Sequence, residues 1–270
     1  MGSIEGHRAL VTGAASGIGR AIATALAARG ARVGLLDIDK PRLDQTREAL
    51  GASCPLALEI DVADSPAVRR AFDQVRDEWG GLEILVCSAG FVDLPPQVQE
   101  RARRIAEEVL SGRGYRTPMN ATTDLDDALW RRTIEVHLDG TFFCNREALR
   151  LMTPLRYGRI VNLSSIGALD GFAGAPHHSA AAGGILAFTR SVARELMPFG
   201  VTVNAIAPGW IETPMLGTLD NFLRQSTLAR IPLSRFGQPE EVVPAALLLV
   251  DPDNSYMTGQ VLSPNGGAVY

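Results

Sequence analysis

The first residues whose types and spacing could do chemistry lie near the N-terminus: Thr12-Gly13-Ala14-Ala15-Ser16-Gly17-Ile18-Gly19, three glycines four and two residues apart. A short apolar run precedes them and an Ala-rich helical stretch to about Gly30 follows. In that setting Gly13 permits a tight turn, Gly17 lets backbone approach a pyrophosphate, and Gly19 lets helix and strand pack closely. The N–H groups at the start of the helix are free for phosphate. The candidate cradle is therefore Gly13, Ser16, Gly17, Ile18 and Gly19. Eighteen residues beyond Gly19 stands Asp37, a carboxylate placed to accept from an adenosine ribose and to repel a 2′-phosphate. The expected cofactor is NAD rather than NADP. Asp61-Val62, at the end of a third apolar run, suits the adenine edge.

These residues need a scaffold that brings strand ends together, and the rest of the chain supplies its pattern. Apolar runs at Ala9–Thr12, Arg32–Asp37, Leu56–Ile60, Ile84–Cys87, Arg159–Leu163, Val201–Ala205 and Gln260–Leu262 alternate with stretches of helical period. That pattern predicts one Rossmann-type α/β domain: a doubly wound, seven-stranded parallel sheet with helices on both faces. Ligands then belong at the carboxyl ends of the strands. One helix is explicit in the sequence, with Val68, Phe72, Val75 and Trp79 forming a stripe behind Asp64-Ser65-Pro66 as its start. An inserted segment at about 92–122 breaks the alternation. In it Val98, Ala102, Ile105 and Val109 make an amphipathic stripe between Pro- and Gly-bearing loops, read either as a surface excursion or as a lid.

Composition narrows the function. The chain has 270 residues, a formal charge of −4, 46% hydrophobic and 21% charged residues, enough for one large core. It offers no sustained cationic stripe for a phosphate backbone, so nucleic acid is not an expected partner. Cys54, Cys87 and Cys144 are scattered, with no metal-ligand spacing, and are expected as reduced core thiols. No stretch reaches the length of a membrane span, and no leader pattern opens the chain. The expected location is the cytoplasm.

Taken together, the motifs resemble the short-chain dehydrogenase/reductase family over essentially the whole chain. The glycine loop matches the family's TGxxxGxG. Its NNAG element appears as Cys87-Ser88-Ala89-Gly90, with both asparagines replaced. Gly158 to Ser165 matches the strand ending in the catalytic serine, and Pro208-Gly209-Trp210-Ile211-Glu212-Thr213 matches the segment that holds the nicotinamide carboxamide. Thr258-Gly259-Gln260-Val261-Leu262 with Gly266-Gly267 matches the last strand and its turn. The resemblance implies cofactor contacts at Ser88, Ala89, Gly90, Pro208, Gly209, Ile211 and Thr213. It also implies a homodimer or homotetramer built on the helices around Asp124–Met152 and Ala175–Met197.

The family's catalytic set is Asn, Ser, Tyr and Lys, and here only the serine survives, as Ser165. Thirteen residues on, the Tyr and Lys positions hold His178 and Ala182, and the asparagine position holds His137. None of Tyr115, Tyr157, Tyr256 and Tyr270 falls where it could substitute. Histidine, with an ordinary pKa near 6.5, is poised at neutral pH without a neighbouring cation, so the two replacements are mutually compatible. Three readings follow. The chain is an NAD-dependent oxidoreductase on a hydroxyl or carbonyl, using Ser165, His178 and His137; or a non-redox isomerase, lyase or cyclase using histidine acid–base chemistry; or a silent cofactor-binding protein or inactive variant. For the histidines the bland readings are a loop residue (His177), a buried helix residue (His137) and a space-filler (His178). The apolar Pro214, Met215, Leu216, Leu219, Phe222 and Leu223 suggest a largely hydrophobic small-molecule substrate.

Overall fold

The computed structural model describes residues 2–112, 114–218 and 221–270. Seven strands, β1 (Arg8–Thr12), β2 (Arg32–Asp37), β3 (Leu56–Glu59), β4 (Ile84–Cys87), β5 (Gly158–Leu163), β6 (Val201–Ile206) and β7 (Val261–Leu262), form one parallel sheet in the order β3-β2-β1-β4-β5-β6-β7. The order reverses between β1 and β4, which opens a crevice at their carboxyl ends.

Two cores explain why the strands are nearly unbroken apolar runs. Ala9, Val11, Ile84 and Val86 face α1 (Gly17–Ala27) and α9 (Pro239–Val250), whereas Leu10, Leu85 and Cys87 face α3 (Ser65–Trp79), α6 (Gly140–Leu155) and α7 (Pro176–Leu196). Alternate residues serve opposite layers, so both faces of each central strand are buried. α2 (Lys40–Leu50) completes the first layer through Leu43.

The helix read from its stripe is α3. Asp64 caps it by accepting from Ala67 N–H at 3.1 Å, the four stripe residues are buried, and Gly80 ends it at φ +73. Expected boundaries shift slightly elsewhere. Ile60 falls just outside β3, Arg8, Gly158 and Ile206 join their strands, and Gln260 lies before β7 because its N–H goes to the Asn204 side chain at 3.0 Å. The first helix stops at Ala27, and the expected helix around Asp124–Met152 divides. It consists of α5 (Asp127–Ile134), a π-helical turn at Glu135–Asp139, and α6.

The segment 92–122 carries α4 (Pro96–Leu110), which packs against α8 (Asn221–Leu228). Val98 and Ile105 are buried, but Val109, placed on the apolar stripe by its spacing, is 57% exposed. α8 has eight residues, too short to cover all four turns of α4.

Candidate active site

A cavity of about 500 Å³ runs across the carboxyl ends of the strands, from the glycine loop to the first turn of α7. All of the expected cofactor residues line it: Gly13, Ser16, Gly17, Ile18, Gly19, Asp37, Asp61, Val62, Ser88, Ala89, Gly90, Pro208, Gly209, Ile211 and Thr213. So do Ser165, His137 and His178.

The glycine loop has the shape that its residues require. Gly13 and Gly17 sit at φ +64 and +53, and a Cβ on Gly19 would stand 2.2 Å from the Gly13 carbonyl oxygen. Ser16 precedes α1 without a side-chain capping bond, which leaves the first-turn N–H groups directed into the cavity. Asp37 braces the loop from β2: Oδ2 accepts from Ala15 N–H at 2.8 Å and Oδ1 from Asp39 N–H at 2.9 Å. Each oxygen keeps a second lone pair. The Thr12 hydroxyl oxygen ties the neighbouring loop in place, accepting from Ser88 N–H (3.0 Å) and Ala89 N–H (3.1 Å). Thr213 reaches over from the segment after β6, and a Cβ on Gly17 would meet its Cγ2 at 3.0 Å.

At the other end, Ser165 follows β5 and caps a short 3-10 turn, its Oγ accepting from Gly167 N–H at 3.1 Å. That leaves the hydroxyl proton free to donate into the cavity. His178 lies in the first turn of α7 beside His137, ring centroids 5.2 Å apart and nearly perpendicular, and its Nδ1 is buried without a partner. Burial, with smaller contributions from His137 and His177, lowers the His178 pKa to about 3. This corrects the expectation of a histidine poised near 6.5: the ring is a neutral imidazole at physiological pH.

His137 occupies the π-helical turn, and its Nε2 lies 2.7 Å from the Phe91 carbonyl oxygen and 3.0 Å from the Phe91 N–H. One nitrogen cannot donate and accept at once, so it donates to the closer carbonyl in one tautomer and accepts from the N–H in the other. Either way Nε2 serves the backbone entering the segment 92–122. Burial lowers this pKa as well. His177 is not a loop residue; it is fully buried in α7, its pKa lowered by desolvation against an opposing influence of Asp93. Asp93 lies near the ring without making a hydrogen bond of good geometry to either nitrogen.

Ala182, at the lysine position, is buried on the cavity wall, and its carbonyl accepts from Ser164 Oγ at 2.9 Å. Among the described residues lining the cavity, Arg132 is the only Lys or Arg, and it is paired with Asp61 at 2.7 Å. Tyr157 packs beside Arg159 and lines no part of the cavity, while Tyr115, Tyr256 and Tyr270 are exposed.

The wall around His178 is apolar: Phe91, Val92, Leu94, Ile166, Met215, and an aromatic pair, Phe172 and Trp210, with centroids 4.6 Å apart. Of the apolar residues read as a substrate cover, Pro214, Met215 and Leu216 line the cavity. Phe222 instead faces the Arg103 guanidinium, Leu223 is buried in α8, and Leu219 lies outside the described residues. Sequence reasoning missed Arg132, Phe172 and the Phe91–Leu94 wall. The only signal was position: Phe91 directly follows Ala89-Gly90, so the segment beyond it had to leave from the site itself.

Fold and cavity define a dinucleotide-binding α/β protein in which Ser165, His137 and His178 line the same cavity as the glycine loop. The model of the short-chain dehydrogenase family matches residues 7–223. The chain is 34% identical to the 3-oxoacyl-(acyl-carrier-protein) reductase FabG of Vibrio cholerae serotype O1 over 265 residues, 98% of each chain. It is 34% identical to FabG of Aquifex aeolicus over 267 residues, again 98% of each, and 35% identical to that of Thermotoga maritima over 268 residues, 98% of this chain and 99% of the relative. The chain belongs to the short-chain dehydrogenase family of oxidoreductases, which bind a nicotinamide dinucleotide.

Proposed function

We propose that this protein is an NAD-linked oxidoreductase acting in the cytoplasm on a hydroxyl or carbonyl group of a largely apolar small molecule. The glycine cradle fits a pyrophosphate, because its tight turn, which admits no Cβ at Gly13 or Gly19 without a clash against backbone, sets the open N-terminus of α1 on the cavity. Asp37, followed by the exposed Ile38 instead of a cation, favours an unphosphorylated ribose. Ser88, Ala89, Gly90, Pro208, Gly209, Ile211 and Thr213 would hold the nicotinamide half, and the cofactor when bound supplies or accepts hydride.

The observation that carries this reading is that Ser165 and a neutral His178 face one apolar cavity continuous with the glycine cradle. Ser165 donates a hydrogen bond from its hydroxyl to the substrate oxygen and keeps its proton. His178 acts as a neutral imidazole, a hydrogen-bonding electrophile instead of an imidazolium acid; triosephosphate isomerase uses a neutral histidine in this way. His137 holds Phe91, and with it the apolar wall, against this pair. The missing lysine costs a ribose contact and the missing tyrosine a strong proton donor, so slow turnover is expected.

The test is a panel of apolar ketones and alcohols followed by NADH absorbance. Turnover that disappears in Ser165→Ala supports the reading. A flat trace over the whole panel, or turnover indifferent to the cofactor's redox state, overturns it.

A further inference from the structure

The cavity wall holds an aromatic corner that the reading above leaves unused. Phe172 and Trp210 reach it from different segments, the turn before α7 and the stretch after β6, with ring planes at 58° to one another. Both rings are fixed by the protein's own contacts. Phe172 stands between Gly171 and Gly174, at φ +79 and +102; its N–H donates to Ser179 Oγ at 2.9 Å and its carbonyl accepts from Ala175 N–H at 3.0 Å. Trp210 packs against the cluster of Leu216, Ile231 and Phe236, and its carbonyl accepts from Gly237 N–H at 2.9 Å. Charge lies elsewhere in the cavity. Among the described residues lining it, Asp37, Asp61 and Arg132 are the charged ones; the two carboxylates follow β2 and β3, and Arg132 is paired with Asp61. Ser165 and the aromatic corner follow β5 and β6, with β1 and β4 in between. A carboxylate or phosphate held at the corner would lose its water and meet no counter-charge.

We infer that the substrate is an uncharged aryl ketone, or the matching secondary alcohol, whose ring seats against Phe172 and Trp210 while its oxygen meets Ser165 and His178. The net conversion is ketone, NADH and a proton to alcohol and NAD. Edge-to-face and offset contacts between rings add to the ordinary gain from burying apolar surface. Two fixed, tilted rings therefore favour a third ring over a flexible chain of the same carbon number, which also loses more rotational freedom on binding. His178 adds no charge: its Nδ1 is buried, which leaves Nε2 as the ring nitrogen open to a ligand, and burial keeps the ring neutral. Phe172 and Trp210 are thus the specificity-determining pair, and rejection of charged ketones follows from what the wall lacks.

This inference rests on the oxidoreductase reading, and its test separates the two. Three ketones are compared: a phenyl alkyl ketone, a linear methyl ketone of equal carbon number, and the phenyl ketone bearing a para-carboxylate. Each is followed by NADH consumption and by calorimetric binding to the NAD-saturated protein, for the unmodified chain, Phe172→Leu and Phe172→Lys. The phenyl ketone is expected to lead the linear one by about fivefold in both kcat/KM and affinity, the worth of one aromatic contact. It is expected to lead the carboxylate by about 10²-fold or more, since that charge is buried unpaired. Phe172→Leu keeps apolar bulk without the ring, and the preference for phenyl over linear should shrink to about twofold. Phe172→Lys supplies a counter-charge and should narrow the gap to the carboxylate by about tenfold. A linear or carboxylated ketone handled as well as the phenyl ketone by the unmodified protein would overturn the inference, whether or not the variants fold. So would a phenyl preference undiminished in Phe172→Leu. If the unmodified protein binds NAD but neither binds nor turns over any of the three, the oxidoreductase reading itself fails and this inference with it.

Discussion

The most consequential single residue is His178, because its environment decides the chemistry that its identity only permits. With a pKa of about 3 it does not titrate anywhere near neutrality, so it contributes no inflection to kcat/KM between pH 5 and 8. A pH profile with a step near 6.5 that vanishes in His178→Gln would contradict this. The double change His178→Tyr with Ala182→Lys restores the phenol and its cation at positions already on the cavity wall. Turnover is expected to rise by about 10²-fold or more, measured as initial rate of NADH consumption. What the sequence made legible here was position: the thirteen-residue interval from Ser165 located His178 in the site. Its protonation was not legible, because desolvation depends on how α7, the π-helical turn and the Phe91 segment close around the ring. Asp37 shows the converse. Its place at the end of β2 was readable, but the bond to Ala15 N–H joins residues 22 apart in sequence and emerges only in the folded loop.

Among the elements, the glycine loop was the most readable, since turn, close approach and helix packing each demand glycine locally. Gly19→Ala tests it. The added Cβ would press on the Gly13 carbonyl, so a loss of about 1–3 kcal/mol in urea stability is expected, along with loss of NAD binding. An alanine variant of parental stability would show that the loop yields. The π-helical turn was unreadable, for Glu135–Asp139 continues an ordinary helical pattern; the extra backbone residue turns His137 towards Phe91. Gly90 exists for the same contact, with a Cβ there falling 2.6 Å from His137 Cε1. The amphipathic stripe located α4 correctly, but could not show that its partner, α8, covers only part of it.

At the scale of the whole molecule, four histidines, His7, His137, His177 and His178, have pKa values lowered on folding, with burial as the leading cause. In the unfolded chain each takes up a proton near pH 6.5, whereas the folded protein resists protonation to lower pH. The unfolded state then binds more protons below pH 6.5. Stability is complete above that value and falls as pH drops towards 3, with His178 accounting for on the order of 5 kcal/mol over the full range. The urea midpoint is expected to decline already between pH 7 and 5, above the range where carboxylates such as Glu83 begin to matter. A flat midpoint over that interval would refute it. The seven-stranded parallel sheet and its two helical layers were legible because alternation of apolar runs with helical stripes is a property of sequence alone, whereas the strand order emerges only from the structure. How Phe142, Phe188 and Phe199 gather with Arg146, Arg150 and Arg156 into a groove on α6 and α7 was not.

The Asp37 brace has one more consequence. Because a side chain already occupies the role of holding Ala15, the phosphate mould is set before any nucleotide arrives. Association then requires no disorder-to-order step at the cradle, so the on-rate for the dinucleotide is governed by diffusion and docking orientation and not by a slow folding event.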